Sequence, residues 1–188
     1  MSASILTIGY ADRSLGEMVS LLRREDIKFL IDVRSIPVSR FKPDFSRDSL
    51  EQSLKSQGIR YVFMGDSLGG RPSDPTCYEN GHVIYRIVQN RPFFRSGIDR
   101  LLNAASGGHR VCLMCSESRP EDCHRSKLIG VALSELGVTV SHIDKQGDLR
   151  TQDEVIERLQ PGQSDLFELR LQSRKAYRPS KTRTGFSR

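Results

Sequence analysis

Val111-Cys112-Leu113-Met114-Cys115-Ser116-Glu117-Ser118-Arg119-Pro120-Glu121-Asp122-Cys123-His124-Arg125-Ser126 reads as a buried strand, a sharp loop and the start of a helix. The strand half is apolar at successive positions, as a parallel strand covered on both faces is. The loop half concentrates chemistry: thiols, a histidine, arginines and carboxylates follow one another within a few residues.

Working outward, the same strand–helix alternation recurs along the chain. Ser4–Gly9 is a short apolar run stopped by glycine. Ser14 and Glu17 form a capping box, after which Leu15, Met18, Val19, Leu21 and Leu22 recur at helical spacing to about Glu25. Ile27–Val33 is a second strand, and Ser35–Phe45 a loop pinned by Pro37 and Pro43. Ser46 caps a helix to about Gln57, Ile59–Met64 is the third strand, and an irregular segment runs to about Asn80. Pro92 starts the next helix, closed by Gly107-Gly108. His109–Cys115 is the fourth strand and a helix from about Cys123 to Glu135 follows. Val138–Ile143 is the fifth strand, and Thr151 with Glu154 caps a last helix to about Leu159.

Five alternations predict an α/β fold: a single three-layer domain with a mainly parallel five-stranded sheet and helices on both faces. It is Rossmann-like but not dinucleotide-binding, since no Gly-x-Gly-x-x-Gly follows the first strand and no Walker loop is present. Composition turns basic after Pro161-Gly162, which divides a domain over 1–160 from a C-terminal extension over 161–188. The extension holds seven Lys/Arg against Asp165 and Glu168, so most of the net charge of +6 lies there and the body is near neutral. A basic tail attracts phosphates by counterion release; a solvated terminus has the same composition. No apolar run approaches the roughly 20 residues of a bilayer span, which argues against a membrane protein. The N-terminal stretch lacks a basic region and argues against a signal peptide. The four cysteines are then expected as reduced thiols in a cytoplasmic protein.

In an open α/β sheet, ligands bind beyond the carboxyl ends of the strands. The polar residues of this chain fall there: Tyr10 after strand one, Asp32 and Arg34 after strand two, Ser67 to Arg71 after strand three, Cys115 and Glu117 after strand four, His142 and Asp144 at the end of strand five. The opposite edge carries plain turns. Cys112 and Cys115 have CxxC spacing, but residues three apart on a strand point to opposite faces. Cys112 therefore reads as a small buried hydrophobe. A zinc site from Cys115, Cys123, His124 and the distant His142 is a weaker alternative, because adjacent Cys123 and His124 make poor bidentate geometry; no metal ligand is assigned. Cys77 receives no role. Cys123 sits at a predicted helix start, where free N–H groups lower a thiol pKa.

The residues expected to do chemistry are Glu117 and His124 for proton transfer and Cys115 or Cys123 to line the site or attack. Those expected to hold substrate are Tyr10, Arg34, Arg40, Arg71, Arg125 and Ser126, since arginines converging on a cleft form a clamp for phosphate or carboxylate. The expected partner is an anionic small molecule or a nucleic acid, met through the cleft, with the basic tail as a second point of contact.

Thr7-Ile8-Gly9-Tyr10, Asp32-Val33-Arg34 with Pro37, Ser39 and Arg40, Leu68-Gly69-Gly70, Cys115-x-Glu117, Cys123-His124-Arg125 and Val140-x-His142-Ile143 occur in this order over residues 4–145. In this combination the chain resembles the DUF488 proteins, a bacterial and archaeal family without assigned activity. The resemblance implies an α/β fold and a cleft lined by these residues, and it adds no substrate. The Asp-Val-Arg is also similar to that of rhodaneses, although no single cysteine in a compact anion-cradling loop follows. Three functions remain open: an enzyme acting on a phosphate-bearing substrate (a nucleotide or nucleic acid), a non-catalytic nucleic-acid or anion-binding module, and a metal-dependent enzyme using Cys and His ligands.

Overall fold

The structure, a computed structural model, describes residues 4–159 and 171–177. Its strands in chain order are β1 (Ser4–Gly9), β2 (Phe29–Asp32), β3 (Arg60–Phe63), β4 (Tyr78–Glu79), β5 (His82–Val83), β6 (Val111–Cys115), β7 (Thr139–Ile143) and β8 (Leu149–Thr151). The helices are α1 (Leu15–Arg24), α2 (Arg47–Lys55), α3 (Gly65–Leu68), α4 (Tyr85–Gln89), α5 (Pro92–Ser106), α6 (Val131–Glu135) and α7 (Gln152–Leu159). Both capping boxes form: Glu17 N–H donates to Ser14 Oγ and Glu154 N–H to Thr151 Oγ1, with each glutamate reaching back to the cap N–H. Ser46 precedes α2 but makes no side-chain cap; its hydroxyl instead accepts from Ser39 N–H and folds the 35–46 loop on itself.

One sheet of six strands, in the order β3-β2-β6-β1-β7-β8, forms the middle layer. The first five strands of that order are parallel, as expected, and β8 is an antiparallel edge. The sequence reading missed β8 because three residues, Leu149 to Thr151, are too short to show alternation. Side chains alternate between two cores. Leu6, Ile8, Leu30, Cys112 and Met114 meet Met18 and Leu22 of α1 and Leu50 and Leu54 of α2. Ile5, Ile31, Leu113 and Val140 meet Phe94, Ile98 and Leu101 of α5, with Leu128 and Leu133 below β7. That arrangement is the expected three-layer α/β class. Cys112 and Cys115 fall in opposite cores, as period-two geometry requires.

This topology sets the place for a ligand. From β1 and β2 the chain turns to α1 and α2 on one face and moves toward the β3 edge. From β3 and β6 it crosses the other face and moves toward β7. The neighbouring strands β2 and β6 thus send their continuations to opposite faces, and a crevice opens between their carboxyl ends. The register puts Asp32 beside Met114, so Arg34 and Cys115 flank that crevice.

Two departures from expectation shape the site. The predicted helix from Cys123 is a 3₁₀ turn, Pro120–Asp122, then a π-helical stretch, Arg125–Gly130, and only then α6. And residues 171–177, placed in the extension by composition, return to the domain. Gln172 bridges Ile84, Tyr85 N–H donates to Leu171 O and Ser173 N–H to Val83 O. The rest of the basic extension, 161–170 and 178–188, lies outside the described residues. No helix among the described residues is long and apolar enough to cross a membrane.

Candidate functional site

A cleft of about 630 Å³ opens over the β2–β6 crevice. Its β2 wall is built on a fully buried carboxylate. Asp32 accepts from Arg34 N–H, Nε and Nη2 (3.0, 2.9 and 2.6 Å) and from Tyr61 Oη at 2.7 Å. Arg34 is itself 5% exposed and donates a further bond to Tyr10 Oη at 3.1 Å. Tyr10 stacks on Phe45 with centroids 4.2 Å apart, which fixes the ring against which the guanidinium lies. Burial, with the Asp32 carboxylate second, raises the Tyr61 phenol above its ordinary range, so it stays a hydrogen-bond donor.

The β6 wall is a thiol–imidazole cluster. Cys115 ends the strand, and the chain returns to it nine residues later. Cys123 is extended (φ −117°, ψ 148°) as the cap of the 3₁₀ turn, whereas His124 is helical (φ −62°, ψ −20°). This change of backbone conformation between adjacent residues turns both side chains onto Cys115. His124 Nδ1 lies 3.7 Å from Cys115 Sγ and 3.7 Å from Cys123 Sγ, and the three ligating atoms lie within 4.8 Å of one another. Adjacent Cys123 and His124, expected to make poor bidentate geometry, are here brought together on Cys115. His124 Nε2 is 3.0 Å from Val33 O, which accepts only from N–H, so Nε2 carries the proton and Nδ1 faces the thiols.

The electrostatics of the cluster are asymmetric. The Cys123 thiol, then His124 and Arg125, hold the Cys115 thiol well below its ordinary pKa against the effect of burial. Burial and the Cys115 thiolate push Cys123 well above its own. Burial opposes charging of His124, but the Cys115 thiolate outweighs it and raises the ring pKa. These shifts favour the charged forms of Cys115 and His124 and the neutral form of Cys123.

The structure distributes the sequence-derived site residues unevenly. Tyr10, Arg34, Arg40, Arg71, Cys115, Glu117, Cys123 and His124 all line the cleft. Arg125 and Ser126 do not. Arg125 is fully buried and its guanidinium donates to Glu117 O (2.8 Å) and Ser118 O (2.9 Å). Ser126 is also fully buried and donates to Pro120 O at 2.9 Å. Both hold the 116–120 loop from behind. His142 is likewise remote from the thiols. It is buried between Thr7 Oγ1 (2.7 Å) and Gln152 Oε1 (2.6 Å), and burial, with Arg125 second, lowers its pKa to about 4.

Sequence reasoning missed the contribution of 171–177. Ser173, Arg174 and Tyr177 line the cleft. Arg174 pairs with Glu117 (3.3 Å) and Asp122 (3.8 Å), and Arg71 lies over the Tyr177 ring at 4.9 Å. Nothing local in Leu171-Gln172-Ser173-Arg174 signals this, because the pairing partners lie some 90 residues upstream. The tight fit of the wall has a sequence trace in glycine: a Cβ on Gly70 would meet the His124 ring at 2.8 Å, and one on Gly9 would collide with Glu117 O and the Arg125 guanidinium.

A family model described as a domain of unknown function, DUF488, matches residues 14–132, more than half of the chain. The matched span includes Asp32-Val33-Arg34 and Cys115 to Arg125 but not Thr7–Tyr10 or His142. No curated protein and no solved structure matches the chain.

Proposed function

The chain belongs to the DUF488 family, and we propose that it is an enzyme acting on a phosphate-bearing substrate, a nucleotide or nucleic acid. The observation that carries this reading is the meeting of Arg40, Arg71 and Arg174, from three separate segments, with Cys115, Glu117, Cys123 and His124 on one cleft. Guanidinium forks match phosphate oxygens bidentately, so three of them around one opening favour a phosphate over an uncharged ligand. Phe41, beside Arg40 on the same wall, is 98% exposed. A free aromatic face next to a cation suits a nucleobase stacking above its own phosphate.

In this reading the arginines hold the anion and the thiol–imidazole cluster is the reactive centre. Glu117, whose side chain is 41% exposed at the rim, transfers protons. His124 is not a free base, since Nε2 is committed to Val33 O and Nδ1 to the two thiols. Basic residues in 178–188 add affinity through counterion release. All four cysteines are free thiols, and a cytoplasmic location is part of the same reading.

The test is equilibrium binding of mononucleotides and short single-stranded oligonucleotides at rising salt, with turnover assayed over a panel of phosphoesters. Arg40→Ala and Arg71→Ala should each weaken binding by about tenfold and flatten the salt slope, since a charged hydrogen bond contributes about 1.5–3 kcal/mol. Cys115→Ala should abolish turnover while leaving affinity. Affinity indifferent to both arginine substitutions removes the anion clamp. Tight binding with no turnover on any phosphoester favours a binding module instead.

A further inference from the structure

We propose that Cys115, Cys123 and His124 hold a zinc ion with a fourth coordination position open to the cleft. Tetrahedral zinc, with Zn–S about 2.3 Å and Zn–N about 2.0–2.1 Å, sets neighbouring ligand atoms roughly 3.5–3.8 Å apart. His124 Nδ1 stands 3.7 Å from each sulfur. The imidazole-to-thiol spacings are therefore those of a filled site, and the two sulfurs lie within 4.8 Å of each other.

Three further features belong to a metal site rather than to a chance cluster. A ligating histidine donates its other N–H to a carbonyl, which fixes tautomer and ring plane; His124 Nε2–H does this to Val33 O at 3.0 Å. Metal-bound thiolates accept from backbone amides, and Arg125 N–H lies 3.4 Å from Cys123 Sγ. The ring is also held in place by Gly70, where any Cβ would press on His124.

The ligand types choose the metal. Two thiolates and an imidazole are soft and borderline donors, which favour zinc over magnesium or calcium. Two thiolates also balance the charge of a divalent ion. No fourth His, Cys, Asp or Glu joins the group among the described residues. Three protein ligands and an open position are the pattern of catalytic rather than structural zinc. All three ligands line the cleft together with Glu117, so the open position faces the arginines and the carboxylate.

The role of the ion rests on the reading of the cleft as an active site; its binding does not. The experiment is metal analysis of the full chain, purified with reductant and without a polyhistidine tag, then incubated with excess zinc and gel-filtered. About one zinc per chain is expected. Cobalt(II) in its place should give thiolate-to-cobalt charge transfer and intense visible bands of a tetrahedral site. Cys115→Ser and Cys123→Ser should each lose stoichiometric metal and the charge-transfer band, and Cys77→Ser should keep both. Circular dichroism of each variant separates loss of metal from loss of fold. If Cys115→Ser does not fold, the cobalt spectrum of His124→Ala decides, since it should lose the tetrahedral bands. Sub-stoichiometric zinc in the folded, reduced wild-type chain overturns the proposal, as does equal loss in Cys77→Ser. Nucleotide affinity measured on the metal-free protein reports the phosphate reading separately.

Discussion

Asp32→Asn is the substitution that most directly tests how the β2 wall is held. Asp32 is fully buried and Arg34 is 5% exposed, so the pair is not screened by solvent. The asparagine keeps the shape but removes the charge that compensates the guanidinium. Breaking one side of a buried pair costs about 3–5 kcal/mol, mostly because the other charge is left in low dielectric. One of the four bonds Asp32 accepts comes from Tyr61 Oη and survives in the amide if its oxygen points that way. For a chain of this size that cost lowers Tm by roughly 6–20 °C. The assay is urea unfolding followed by far-ultraviolet circular dichroism, on Asp32→Asn, Arg34→Met and the double variant. Replacing a buried pair by groups without charge is often near neutral. The double variant should therefore be more stable than the single costs add up to, with a coupling of about 2–3 kcal/mol. A single cost below about 1 kcal/mol, or additivity within about 0.5 kcal/mol, would refute the idea that this ion pair anchors the wall.

The remaining predictions concern the thiols, the glycine and the buried histidine. In reduced, metal-free protein, Cys115 should react with iodoacetamide at lower pH than Cys112, Cys77 and Cys123, whose thiols burial pushes above their ordinary range. Peptide mapping reads this, zinc should protect Cys115, and uniform labelling contradicts it. Gly70→Ala, whose Cβ meets the His124 ring, should weaken metal retention at least tenfold with the fold intact; unchanged retention means the ring has room to shift. His142 has a folded pKa lowered to about 4 from about 6.5, so the unfolded chain binds its proton first as pH falls. The stability it contributes is present above pH 6.5, declines below it and is lost by pH 4, a change of about 3 kcal/mol. Urea melts across that range should show His142→Gln with a flatter slope than the wild type, and parallel slopes would reject the assignment.

The fold was legible because its signals are local. Capping boxes at Ser14 and Thr151, apolar strands and glycine stops fix element after element without knowledge of partners. The candidate site was legible in position, since the carboxyl-end rule needs only strand boundaries. What could not be read depends on backbone conformation or on distant pairing. The convergence of Cys123 and His124 requires the switch from extended to helical between them, which a run of Pro-Glu-Asp-Cys-His does not announce. The return of 171–177 depends on edge pairing with residues 81–85, and a basic composition conceals it.

Arg125 and Ser126 show why nearness in sequence to reactive residues is a poor guide to role. Both sit directly after Cys123-His124, and both face away from the cleft. Ser126 holds Pro120 O, Gln152 Nε2 holds Ser126 O, Gln152 Oε1 takes the His142 Nε2–H, and Thr7 closes the chain on His142 Nδ1. This line of bonds ties the loop before Cys123 to β1 and β7 at the centre of the sheet. The wide π-helical turn opens the stretch in which Arg125 and Ser126 make these contacts. Arg125 adds a full positive charge behind the thiols, with backbone carbonyls as its acceptors on Nη1 and Nη2. That charge favours the thiolate forms of Cys115 and Cys123, while the bonds fix where the sulfurs stand. In this cluster one buried arginine supplies both the field and much of the bracing.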